Sequence, residues 1–170
     1  MARAFFALWP DASVRERLAV HAEEIAKQAG GKPVKPDSLH MTLIFVGNVA
    51  EDKLARLAAV VDRISRKPFS MGLDRLSAFA EPGVAWVGTS HVPSALYDIQ
   101  AQLYMELENA GFDVEQRRFV PHITIARKVT KDVNDRPIDL ILWSARTLCL
   151  VHSDTKPEGS VYQVVKTWKL

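Results

Sequence analysis

Two short segments of this chain carry the same side chains at the same spacing: Leu39-His40-Met41-Thr42-Leu43 and, 82 residues later, Pro121-His122-Ile123-Thr124-Ile125. Both read as strands, in which residues two apart point to one face. His40 and Thr42 therefore share a face, as do His122 and Thr124, so an imidazole stands beside a hydroxyl twice. If the two strands lie across a cleft, four polar groups converge on a small volume. A phosphodiester suits such a site. One histidine takes a proton from water while the other gives one to the departing oxygen, and imidazole, with an ordinary pKa of about 6.5, changes charge near neutral pH. The threonine hydroxyls can donate to the nonbridging oxygens, and a guanidinium would add a bidentate clamp. Arg127 is the candidate for that clamp. Strict alternation puts it on the face opposite His122, so the role requires a bulge, a strand end or a reach around the edge. The scheme calls for no metal, and neither histidine lies in a His-Glu-x-x-His or cysteine-rich frame.

Each motif needs elements to position it. Ala4 to Leu8 reads as a strand, followed after Pro10-Asp11 by a helical stripe of Val14, Leu18, Ala22 and Ile25 that stops before Gly30-Gly31. Leu39 to Val46 is the first motif strand, closed by Gly47-Asn48, and Leu54, Leu57, Ala58, Val61 and Ile64 mark a second helix. Phe69 to Phe79 and Val84 to Val87 read as strands joined by Glu81-Pro82-Gly83. Leu96, Ile99, Leu103 and Leu107 then stripe a third helix ending at Gly111. Phe119 to Ile125 is the second motif strand. A polar stretch from Lys131 to Pro137 leads to two last strands, Thr147 to Val151 and Val161 to Trp168, joined by the Lys156-Pro157-Glu158-Gly159 turn. Consecutive strands with short turns, without regular βαβα alternation, point to an α+β fold with antiparallel pairing. The repeated motif, each copy preceded by an amphipathic helix, suggests two related lobes facing each other.

Composition bounds the rest. With 170 residues, 48% of them hydrophobic and 25% charged, the chain can bury a real core, and we expect a single two-lobed domain over 1–170. The net charge of +2 is too small for nonspecific hold on nucleic acid. The excess is local: residues 115–131 contain Arg117, Arg118, Arg127, Lys128 and Lys131 against Glu115 alone. Cys149 is the only cysteine, which excludes an intrachain disulfide and is expected to be a buried core thiol. No apolar run approaches the roughly 20 residues of a membrane span, and a cytoplasmic location is the expectation. His21, His91 and His152 are expected to have no catalytic part.

At this point the residues resemble a known family, the two-histidine (2H) phosphoesterases, and within it the RNA 2′,3′-cyclic phosphodiesterases, also called 2′-5′ RNA ligase-like proteins. The resemblance rests on Arg3 to Leu8, Leu39 to Gly47, Phe119 to Arg127 and Gly159-Ser160-Val161-Tyr162. It implies a pseudo-twofold α+β fold with antiparallel sheets lining a central cleft and helices outside. It further implies metal-independent hydrolysis, with no cofactor, of a terminal RNA 2′,3′-cyclic phosphate to a 2′-phosphomonoester. Carried over by motif, His40 is the proton donor to the leaving 3′ oxygen and His122 the base that activates water, with Thr42, Thr124 and Arg127 on the phosphate. From the residues alone, a pseudosymmetric pair supports either assignment. Phe45, Trp86 and Tyr162 are candidates for stacking the terminal base, Phe45 and Tyr162 foremost.

The expected partners are RNA ends bearing a 2′,3′-cyclic phosphate or related nucleotides, with no membrane and a monomeric protein. Two other functions fit the same motifs. One is a noncatalytic RNA-end or nucleotide-binding module, although duplicated proton-transferring side chains favour catalysis, since Arg or Lys would serve binding better. The other is 2′-5′ RNA ligation by the reverse reaction, which bulk water opposes.

Overall fold

Asp11 starts the first helix: its carboxylate accepts the backbone N–H of Val14 at 3.0 Å, satisfying one of the amides left open at a helix start. That helix, α1 (Ala12–Ala29), buries Val14, Leu18, Ala22, Ile25 and Ala29 and ends at Gly30, whose φ of 72° suits glycine. The computed structural model describes residues 2–170. Around α1 the elements run β1 (Ala2–Leu8), β2 (Lys32–Pro33), β3 (Met41–Val49), α2 (Leu54–Ala59), β4 (Phe69–Phe79), β5 (Val84–Gly88), α3 (Ser94–Asn109), β6 (His122–Arg127), β7 (Arg136–Ala145), β8 (Thr147–Lys156) and β9 (Gly159–Lys169).

The strands order themselves β7-β4-β5-β6-β3-β1-β8-β9, every pairing antiparallel, with β2 added beside β6. The sheet divides at β3 and β6, which share one residue pair, Met41 opposite Ile123. On each side lie four strands, and each half contains a strand-helix-strand unit, β1-α1-β3 and β5-α3-β6. This is the two-lobed α+β arrangement expected from the repeat. The helices cross over: α1 packs against β6 and β7, and α3 against β3. Arg17 of α1 donates to the Leu140 carbonyl of β7 at 2.8 Å, and Ser65, just beyond α2, donates its backbone N–H to Gln102 of α3 at 2.8 Å. Each lobe is thus covered by the helix of the other.

Three elements differ from the sequence reading. The second helix is a short α-helix between two 3₁₀ turns, Glu51–Lys53 and Val60–Arg63, with Leu57, Ala58, Val60 and Val61 buried across the transition. Strand β7 was not expected: Pro137 interrupts its start, and Leu140 and Leu142 are exposed while Ile141 and Trp143 are buried, so apolar residues fall on both faces and hide the alternation. Its edge position tolerates the proline. The two-residue β2 has no hydrophobic signal at all. Cys149 is a buried free thiol, as expected, and burial pushes its pKa up. Among the described residues no helix is long and apolar enough to cross a membrane.

Candidate active site

Met41 and Ile123 are fully buried, and because they oppose each other in an antiparallel pair, their neighbours in sequence all turn to the other face. His40, Thr42, His122 and Thr124 therefore stand on one face of one sheet around the point where the lobes join. The strands meet edge to edge there, as neighbours rather than as opposite walls. The antiparallel sense brings His40 towards Thr124 and Thr42 towards His122, and Thr42 and His122 line the same cleft.

Both motif strands then carry the same irregularity. On β6, Thr124 opposes Trp86 and Ala126 opposes Ala85, so Ile125 is an extra residue and alternation shifts by one. Ile125 and Ala126 are both buried, and Arg127 returns to the face of His122 and Thr124. On β3, Thr42 opposes Ala7 and Ile44 opposes Phe6, so Leu43 is extra, Leu43 and Ile44 are buried, and Phe45 returns to the cleft face at 58% exposure. Of the three routes open to Arg127, a bulge, a strand end or a reach around the edge, the strand takes the bulge, and its pseudosymmetric copy delivers an aromatic ring in the equivalent place. One flank of the histidine pair is cationic and the other apolar.

The histidines are held alike. His40 Nδ1 lies 2.7 Å from the Ser38 carbonyl and His122 Nδ1 lies 2.7 Å from the Val120 carbonyl, two residues back in each case. A carbonyl only accepts, so Nδ1–H donates in both and Nε2 is left for chemistry. Upstream, the Trp9 indole N–H donates to the Asp37 carbonyl at 3.2 Å, tying down the Pro36–Ser38 turn that supplies the Ser38 carbonyl.

Their surroundings differ. The His40 ring stacks on Trp9, with centroids 4.8 Å apart and planes 10° apart, and on Phe5 at 5.1 Å, with Tyr162 edge-on at 5.1 Å. Phe5, Ala7, Cys149 and Val151 form a small buried cluster under it, separate from the main core, with Trp9 and Tyr162 against it. His122 meets only ring edges, Phe79 at 5.2 Å and Trp86 at 6.0 Å. Burial lowers the pKa of His40 to about 4, opposed by its hydrogen bond to Ser38 and reinforced by the charges of Arg127 and His122. Burial lowers His122 too, again opposed by its carbonyl and reinforced by Arg127. His40 is thereby neutral at pH 7, His122 is shifted in the same direction, and Arg127 acts on both.

A cleft of about 630 Å³ runs from Thr42 and His122 along β3, lined by Phe45, Phe79, Arg118 and Phe119 among others. Within it Arg117 is paired with Glu115 at 2.6 Å. Phe45 is open to this cleft. Tyr162 instead forms a wall of the His40 pocket, and Trp86 packs on Phe79 near His122 with its indole nitrogen buried and unpartnered. The rings of Phe5, Trp9 and Phe79 and the carbonyls of Ser38 and Val120 were not singled out from sequence. Phe5 had a usable signal, since its parity with Ala7 sets it on one face of the first strand. Among the described residues no group of three or more His, Cys, Asp or Glu side chains is placed to hold a metal ion.

Comparison with known proteins identifies the family and the fold. The family model of LigT like phosphoesterases matches residues 8–86 and 87–142. An RNA 2′,3′-cyclic phosphodiesterase of Methanothermobacter thermautotrophicus is 32% identical, over 99% of this chain and 98% of its own. That of Archaeoglobus fulgidus is 28% identical over 98% and 99%. The crystal structure of Escherichia coli LigT with 3′-AMP superposes with a TM-score of 0.88 at 28% identity, covering 99% of this chain and 98% of the other, and the same protein has been solved with phosphate, ATP and NADP+. A duplicated His-x-Thr face, a shared sheet and full-length similarity lead to one assignment: this chain belongs to the LigT-like phosphoesterase family.

Proposed function

We propose that this protein opens the terminal 2′,3′-cyclic phosphate of RNA to a 2′-phosphate, without a metal, and that the whole chain works as one catalytic unit. The observation that carries this reading is the pair of histidines on one face, each locked as the Nδ1–H tautomer by an i−2 carbonyl, with Arg127 returned to the same face by a bulge. The relatives named as RNA 2′,3′-cyclic phosphodiesterases, and the 3′-AMP complex of the E. coli protein, support the substrate class.

In this reading the phosphate sits over the Met41–Ile123 pair. His122 Nε2 takes a proton from water as the water oxygen bonds to phosphorus. The bond from phosphorus to O3′ breaks, and protonated His40 gives its Nε2 proton to that oxygen, so one water is consumed overall. Thr42 and Thr124 donate to the nonbridging oxygens and Arg127 neutralises the charge that grows on them. Burial and the Arg127 charge hold His40 neutral at pH 7, and the bound phosphate anion offsets both, raising the pKa of His40 so that the ring takes from solvent the proton it later donates. The donor role of His40 follows the family resemblance. Phe45, across the pair from Arg127, stacks the terminal base, a role supported by its exposure to the cleft, and Tyr162 contributes by walling His40.

The test is a short RNA with a 2′,3′-cyclic phosphate end, incubated in EDTA with wild type, His40→Ala and His122→Ala. A 2′-phosphate product, lost in both variants, is expected. A 3′-phosphate would reverse the leaving-group assignment. Folded protein that binds the end without turnover would leave a binding module.

A further inference from the structure

After α1 the chain turns sharply through Gly30 and Gly31, with φ of 72° and 105°, and runs straight onto the end of β6. The approach is tight: a Cβ on Gly31 would lie 2.5 Å from the Arg127 carbonyl oxygen. The segment is fixed on both sides. The Ala29 carbonyl accepts from the backbone N–H groups of Thr130 and Lys131 at 3.0 Å each, and Val34 N–H donates to the Ile125 carbonyl at 2.8 Å. The result is β2, which sets Lys32 directly opposite Arg127.

Residues directly opposite in an antiparallel pair have Cα atoms about 5 Å apart and side chains on the same face. Lys32 is therefore on the cleft face with Arg127, His122 and Thr124, and it is exposed. Two like charges so placed repel each other. Neither forms an ion pair among the described residues. A rigid, glycine-built turn that holds two cations together with no acid between them is organised for more negative charge than one phosphate carries. No cation is paired across the strands with Phe45 itself, which stands opposite Phe5; the arginines of its cleft, Arg3, Arg117 and Arg118, lie farther along.

Building on the phosphodiesterase reading above, we propose that Lys32 binds the phosphodiester on the 5′ side of the terminal nucleotide, so that the site distinguishes an RNA end from a free nucleoside cyclic phosphate. Arg127 serves the cyclic phosphate and Lys32 the next one along the strand.

The experiment compares an adenylyl dinucleotide ending in a 2′,3′-cyclic phosphate with adenosine 2′,3′-cyclic phosphate, on wild type, Lys32→Gln and Lys32→Arg. Lys32→Gln should lower kcat/KM for the dinucleotide about fivefold, in keeping with loss of one exposed charge contact. It should flatten the slope of log(kcat/KM) against log[salt] by about 0.7, leave the mononucleotide within about twofold, and be rescued by Lys32→Arg. An equal fall on both substrates, or none on the dinucleotide, overturns the proposal. If wild type hydrolyses neither substrate, the phosphodiesterase reading fails on its own, and affinities still decide the subsite. Adenosine 3′,5′-bisphosphate must then bind more tightly than adenosine 3′-monophosphate to wild type and equally to Lys32→Gln; equal binding to wild type refutes it.

Discussion

His40 is half-buried between rings, and that makes the protein's stability depend on pH through one side chain. Its pKa is about 4 in the folded protein against 6.5 for the free group, chiefly because burial disfavours the imidazolium. Above pH 6.5 the residue is neutral in both states and contributes nothing to the pH dependence. As pH falls through 6.5 the unfolded chain takes up a proton that the folded protein refuses until pH nears 4, so stability is lost over that window. At 1.36 kcal/mol per pH unit the loss is bounded at about 3.4 kcal/mol, of which about 2.5 falls between pH 7.5 and 4.5. The perturbation is His40→Gln, which removes the titration and keeps an amide that can donate to the Ser38 carbonyl. Urea unfolding at the two pH values gives the pH-dependent loss for each protein, and comparing losses cancels the pH-independent cost of disrupting the stack on Trp9 and Phe5. Wild type should lose about 2.5 kcal/mol more than the variant. A difference under about 0.7 kcal/mol would refute the claim that burial of this ring governs its protonation.

Three further outcomes follow from the same site. Because catalysis needs one histidine charged and one neutral, and both are lowered in the free enzyme, kcat/KM should peak below pH 6.5 and fall tenfold per pH unit on the alkaline side; a plateau to pH 8 contradicts it. Arg127→Ala removes a positive charge that lowers both histidines, so NMR titration should show both pKa values rise, while kcat/KM drops about 100-fold; Arg127→Lys should recover little if the bidentate fork matters. Phe45→Ala should weaken nucleotide binding by about 1 to 3 kcal/mol without moving the pH profile, and unchanged affinity would remove Phe45 from base recognition.

Much of this was legible because strands write their faces in alternate residues. The two His-x-Thr segments, the stripes of α1 and α3, and the charge excess beside Arg127 could all be read directly. The bulges had a signal as well: after each threonine come two successive apolar residues, Leu43-Ile44 and Ile125-Ala126, which no half-buried strand with strict alternation would place together. What could not be read depends on distant parts of the chain. Trp9 reaches His40 only through the path of the backbone after β1, and Phe79 meets His122 across two strand pairings. Lys32 gains its place from a two-residue pairing with no hydrophobic pattern. The meeting of β3 with β6 as neighbours, at one residue pair, is likewise a property of topology.

The crossed helices bear on where such a chain could have come from. A half-length molecule made of one strand-helix-strand unit and its outer strands would leave its sheet uncovered, because its own helix packs on the opposite lobe. Such an ancestor would have been complete only as a pair, with each copy lending its helix to the other and one His-x-Thr from each meeting at the axis. In the present chain the equivalent positions, five residues after each histidine, hold different chemistry, Phe45 in one half and Arg127 in the other. A tandem chain can afford a hydrophobic side and a cationic side, which no symmetric dimer could possess.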